Sequence, residues 1–145
     1  MPVGLRLRSE NCLVIGGGRV ALRKINTLIQ FGARITCISP EIVKELQRLS
    51  REKKIKYVKA GYFGSTGLKK YKLVIAATDN AGLNQKIGSR ALKHRVLVNV
   101  VTGKTKGDII FPAILKKKGM LISVSTNGES PSKAKRVRDR LRDYV

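Results

Sequence analysis

The 145-residue chain has no tryptophan, a single histidine, two cysteines and only nine acidic residues. Each scarcity removes a class of chemistry. His94 stands alone in a basic stretch, so no metal-ligand spacing can be built on it. Cys12 and Cys37 lie far apart in apolar, strand-like segments without a CxxC pattern, and they read as buried reduced thiols rather than a disulfide or a metal site. Aromatic residues make up 5% of the chain, too few for the clustered platforms on which single-stranded nucleic acid stacks. The longest apolar runs, Leu73 to Ala77 and Val96 to Val101 with Asn99 inside it, fall far short of a bilayer span. The opening MPVGLRLRSEN lacks the apolar core of a signal peptide. A cytoplasmic protein with no membrane segment is expected.

Basic residues are abundant: 31 Lys and Arg give a net charge of +22. Nucleic acid is the first partner such a charge suggests, with the glycine-rich turn described below gripping backbone phosphate and affinity falling steeply with salt. The basic residues are nevertheless spread over every segment, which makes nucleic acid unlikely and suits any polyanion equally. A thermophilic origin would also enrich lysine. With 42% hydrophobic and 28% charged residues, the chain has the composition of one globular domain with a real core.

Apolar periodicity alternates along the chain. A strand at Cys12 to Ile15 is followed by a helix from about Arg19 to Phe31, where Ala21, Ile25, Leu28 and Ile29 recur at helical spacing and Gly32 marks the stop. A strand at Arg34 to Ile38 completes a βαβ unit. Pro40 then opens an amphipathic helix carrying Ile42, Val43, Leu46 and Leu49, followed by a short strand at Ile55 to Val58 and a glycine-rich connection, YFGSTGLKK. Leu73 to Ala77 is the continuous apolar strand of a sheet buried on both faces; a helix over Asn80 to Lys93 and a strand at Val96 to Val101 follow. This predicts an α/β fold, a Rossmann-like doubly wound parallel sheet over residues 1–107. From Thr102 the pattern changes to TGKTKGD, IIFP, KKKG, MLISVS and NGESP, then a basic helix. Residues 108–145 are expected to form a short β-hairpin appended to the sheet, plus a helix.

Gly16, Gly18 and Ala21 in VIGGGRVALRK fit the GxGxxG/A fingerprint, between strand and helix where the mechanism needs it. Gly16 permits the tight turn, Gly18 lets backbone approach a pyrophosphate, and the helix N-terminus favours the anion. The acid that usually follows about twenty residues on is replaced by Ser39, within Ser39-Pro40-Glu41. Glu41 is the only carboxylate nearby, and no arginine follows Ser39 directly. NAD is favoured over NADP, although a serine can hydrogen-bond to either ribose.

Several stretches, in order, resemble the precorrin-2 dehydrogenase family, which includes the N-terminal module of siroheme synthase: VIGGGRVALRK, FGARITCISPE, LVIAATDNAGLNQKI, LVNVV, IIFPA and ISVSTNGESPSKAKRVRDRL. The likeness runs from about Leu7 to Leu141. It implies NAD-dependent oxidation of precorrin-2 to sirohydrochlorin, and a homodimer formed through Asp108 to about Val145. It further implies that Gly16, Gly18, Arg19, Val20, Ser39, Pro40 and Glu41 contact the dinucleotide, with Ala77, Thr78 and Asn99 near its nicotinamide end. The substrate, an anionic tetrapyrrole fringed with carboxylates, suits a basic cleft. Ser130 as N-cap and Pro131 as first helical residue would start the last helix, placing Lys133, Lys135 and Arg136 where carboxylates could bind; an ordinary capped and solvated helix accounts for them equally.

The match breaks after LVNVV, where the family commonly carries an aspartate and this chain has Thr102. Threonine is too weak an acid or base to replace it. Thr102 becomes a substrate-binding candidate, and Asp108, six residues on, is either the acid/base group or a turn aspartate. Iron insertion, which some members perform, needs proton acceptors for the pyrrole nitrogens and is doubtful here. The chain also ends at Tyr144-Val145, before the helical segment the family usually adds, so another polypeptide completes the site or the pocket is more open. The alternative to an enzyme is a non-catalytic NAD-binding or partner-binding module of tetrapyrrole synthesis.

Overall fold

The computed structural model describes residues 3–62, 64, 67–102 and 107–144, which fall into compact units Met1–Ile109 and Ile110–Val145. The first unit runs β1 (Asn11–Ile15), α1 (Arg19–Gln30), β2 (Arg34–Ser39), α2 (Lys44–Arg51), β3 (Lys56–Lys59), a single 3-10 turn (Leu68–Lys70), β4 (Leu73–Ala76), α3 (Ala81–Lys93) and β5 (Leu97–Val100). All five strands are parallel in the order β3-β2-β1-β4-β5. The chain therefore winds outward from β1 in one direction and then, from β4, in the other. The reversal leaves a crevice at the carboxyl ends of β1 and β4, where open sheets of this kind take their ligands.

Side-chain alternation fills both faces. Leu13, Ile15, Val74, Ala76, Val98 and Val100 pack with Ile87 and Ala91 of α3. The intervening Cys12, Val14, Ile35 and Cys37 are buried as well, as are Ala21, Ile25 and Leu28 along the inner stripe of α1. Gly88 lets α3 lie close on β5, since a β-carbon there would stand 2.6 Å from Val100 Cγ2. The caps follow local chemistry: Asn80 Oδ1 accepts from the Leu83 N–H at 2.9 Å, and α1 ends at Phe31-Gly32.

Two expectations need correction. Pro40 does not open α2, which starts four residues later; the chain bends at Pro40 and Glu41, and the Val43 N–H donates to the Gly17 carbonyl (2.9 Å), which ties this segment to the glycine turn instead of letting it coil. The hairpin, β6 (Ala113–Lys117) with β7 (Met120–Val124), is a separate two-stranded antiparallel sheet. The outer edge of β5 is already taken, because Gly107 bridges Asn99 and the Ile109 N–H donates to the Val98 carbonyl. Parts of two expected connections, residues 63, 65 and 66 of YFGSTGLKK and 103–106 of TGKTKGD, lie outside the described residues.

In the second unit α4 (Pro131–Leu141) packs on both strands, burying Leu115 and Ala134. Lys118 and Gly119, both at positive φ, make the two-residue turn. Ser130 caps α4 as the sequence predicts, its Oγ accepting from the Lys133 N–H at 3.3 Å.

Candidate functional site

The loops after β1, β2, β4 and β5 meet at the carboxyl edge of the sheet. The turn after β1 is fixed from both sides. Gly16 has φ +124°, and a β-carbon on it would collide with the Ala77 carbonyl; one on Gly17 would collide with the Glu41 carbonyl. The Gly16 N–H donates to Ile38 O (2.9 Å), and the Cys37 thiol donates to Gly16 O (3.4 Å). Burial pushes that thiol up to about 11, so at neutral pH it keeps the proton it donates.

Gly18 differs from its neighbours. It is exposed, it is the N-cap of α1, and a β-carbon on it would meet nothing within 4 Å. No side chain caps the helix and no acid occupies its first turn; Arg19 and Val20 stand there exposed. The first N–H groups of α1 therefore face open space at the positive end of the helix dipole. Tight backbone below and free volume above fit the pyrophosphate of NAD, which a side chain at position 18 would displace.

After β2, Ser39 is buried and its hydroxyl lies 2.8 Å from where a Gly17 β-carbon would stand. Pro40 and Glu41 are exposed. Tyr57 braces this turn, donating to the carbonyls of Ser39 (3.1 Å) and Pro40 (3.3 Å). Its phenol is pushed up by burial and then by Cys37 and Glu41, which keeps it a donor. Tyr57 was not legible in the sequence, because its role depends on β3 lying beside β2.

After β4, Ala77 is buried against Gly16 and Thr78 is half-buried. Asn84, wholly buried on α3, binds Thr78 three ways: its Oδ1 accepts from the Thr78 N–H (3.0 Å) and hydroxyl (2.7 Å), and its Nδ2 donates to the Thr78 carbonyl (2.9 Å). The same Nδ2 donates to Thr102 Oγ1 at 2.7 Å, and Gln85 Nε2 donates to the Thr102 carbonyl at 3.2 Å. Asn84 thus ties the end of β4 to the end of β5. It was missed in the sequence, although it shares the helical spacing of the buried Ile87, Gly88 and Ala91.

The remaining candidates lie elsewhere. Asn99, in the middle of β5, donates to the Ile109 carbonyl, while its buried Oδ1 has no partner among the described residues. Asp108 is exposed on the segment bridging Asn99, short of the strand end that carries Thr102, and it forms no ion pair among the described residues. Ser130 and Lys133 belong to the second unit, where both mark the start of α4. Among the described residues, no helix is long and apolar enough to cross a membrane.

A family model described as "Putative NAD(P)-binding" matches residues 3–113. The siroheme synthases of Nitrosococcus oceani and Methylococcus capsulatus are 38% and 36% identical over 145 residues, all of this chain but 31% and 30% of theirs. The chain thus spans less than a third of the length of these curated relatives. The solved structure of SirC, precorrin-2 dehydrogenase, superimposes with a TM-score of 0.81 at 26% identity, covering all of this chain and 71% of that one. With the fold, the open glycine turn and these likenesses in agreement, the chain belongs to the NAD-binding family of the siroheme synthases and precorrin-2 dehydrogenases.

Proposed function

We propose that this chain is an NAD-dependent precorrin-2 dehydrogenase, producing sirohydrochlorin in siroheme biosynthesis. The observation that carries this reading is a glycine turn closed below by Ala77 and open above Gly18, in a chain that matches SirC over its whole length. Bound NAD supplies a nicotinamide that accepts hydride. The chain's own residues do the rest. Gly16 to Val20 hold the pyrophosphate, Glu41 reaches the ribose, and Ala77 and Thr78 form the wall at the nicotinamide end, with Asn99 in the neighbouring strand. Thr102 binds a carboxylate of the substrate's fringe, which the net positive charge attracts. Asp108 is assigned the proton that leaves when hydride is removed.

The second unit serves homodimerisation. Its 36 residues are too few to build a full core alone, and Met120, Leu121 and Val137 remain exposed. The face of the hairpin opposite the buried Leu115 carries Ile114 and Leu121 diagonally across from each other, with Lys116 and Ser123 beside them, and is the surface proposed to meet a second copy.

One observation favours a second reading, a nucleotide-binding module without turnover: the strand end after β5 offers Thr102, and Asp108 stands further back beside Asn99. Iron insertion is not proposed for the same reason. Anaerobic incubation with precorrin-2 and NAD, beside an Asp108→Asn variant, separates the cases. Turnover that collapses in the variant supports the dehydrogenase with its acid/base group. Turnover in both removes Asp108 from the mechanism. NAD binding without turnover in the parent moves the assignment to the module.

A further inference from the structure

The carboxamide of Asn84 can take only one orientation. A backbone N–H only donates and a carbonyl only accepts, and both groups of Thr78 meet this side chain: the N–H at Oδ1 (3.0 Å), the carbonyl at Nδ2 (2.9 Å). The second Nδ2 hydrogen therefore points at Thr102, whose Oγ1 stands 2.7 Å away and accepts it. Gln85 holds the Thr102 backbone from the next position of the same helix. A threonine hydroxyl has one proton, and with its oxygen already accepting from Asn84 that proton is directed elsewhere. Thr102 is exposed at the carboxyl end of β5, so the proton is offered to the rim of the ligand crevice.

We infer that Thr102 is a hydrogen-bond donor to a peripheral carboxylate of the tetrapyrrole, and that Asn84 is the positioning residue that sets this polarity. The choice of ligand rests on the proposed function; the polarity of the hydroxyl does not. Carboxylate oxygens only accept, so a fixed donor recognises them, and the charge strengthens the bond. A carboxylate-bearing macrocycle is held at this strand end, and a neutral or donor group there is disfavoured.

The test is fluorescence titration with sirohydrochlorin, which requires no turnover. Thr102→Val, which keeps the shape and removes the proton, is expected to weaken binding about tenfold or more, while Thr102→Ser stays within about twofold of the parent. The loss is the same across the neutral pH range because the hydroxyl does not titrate there. NAD affinity, measured by calorimetry, is unchanged in both variants, which a general loosening of the fold would not allow. Asn84→Ala removes the donor that occupies the Thr102 oxygen and leaves the hydroxyl free to turn; it weakens sirohydrochlorin binding in the parent background and adds little to Thr102→Val. Sirohydrochlorin binding by Thr102→Val at the parental affinity overturns the inference, as does a parent that binds no sirohydrochlorin. A parent that binds it but does not oxidise precorrin-2 removes the dehydrogenase reading and leaves the donor assignment supported.

Discussion

Gly16 lies so close beneath Ala77 that a β-carbon on the glycine would overlap the alanine's carbonyl oxygen, whereas one on Gly18 would enter empty space. The two glycines therefore serve different ends, and substitution separates them. Gly16→Ala adds a positive-φ penalty to a backbone collision, and a loss of about 3 kcal/mol or more of stability is expected. Gly18→Ala leaves the thermal unfolding midpoint close to that of the parent and weakens NAD binding, measured by calorimetry, about tenfold or more. Normal NAD affinity in Gly18→Ala would remove the pyrophosphate from this turn.

The two buried thiols make the fold sensitive to alkali. Burial raises Cys37, and burial with Glu10 nearby raises Cys12, each to about 11 from an ordinary value of 9.0. Because the folded values lie above the unfolded ones, this contribution to stability is complete below about pH 9 and is lost as pH rises through about 11. Urea unfolding across that range should show the decline, and Cys37→Ser should flatten part of it. At pH 8 a thiol reagent should label neither cysteine until the chain is unfolded.

The proposed contact of Glu41 with the ribose makes a prediction about cofactor choice. The Ser39 hydroxyl faces Gly17, and Glu41 is the exposed carboxylate beside the turn. Glu41→Arg replaces repulsion of a ribose phosphate with attraction, and the ratio of NAD to NADP affinity is expected to fall about tenfold or more. An unchanged ratio would place the ribose elsewhere.

For the proposed anionic substrate, the net charge of +22 predicts that capture depends on salt. KM for precorrin-2 should rise steadily with ionic strength while kcat changes little, because screening weakens long-range attraction and leaves the bound geometry intact. The proposed dimer is tested by Leu121→Glu on the open face of the hairpin: sedimentation analysis is expected to give a dimer for the parent and a monomer for the variant, with the first unit still folded.

The parallel sheet was legible because its signals are local. Continuous apolar strands, a helix with period-3.6 burial and a glycine turn between them leave few alternatives. The start of α2 was not legible, because the bond from Val43 to Gly17 joins segments that meet only in the folded chain. Asn84 shows the same limit at the site. In LVIAATDNAGLNQKI it looks like one polar residue among several at a helix start, and only the return of β5 beside β4 brings Thr102 to it. Thr102 itself was visible as a departure from the family pattern, but the direction of its hydrogen bond was not.

The proposed dehydrogenase activity is measured by mixing the purified protein with precorrin-2 and NAD without oxygen and following NADH and sirohydrochlorin together by absorbance. Both are expected to appear at the same rate, one NADH for each sirohydrochlorin, and neither when NAD is withheld. NAD that binds while precorrin-2 is left unoxidised would contradict it.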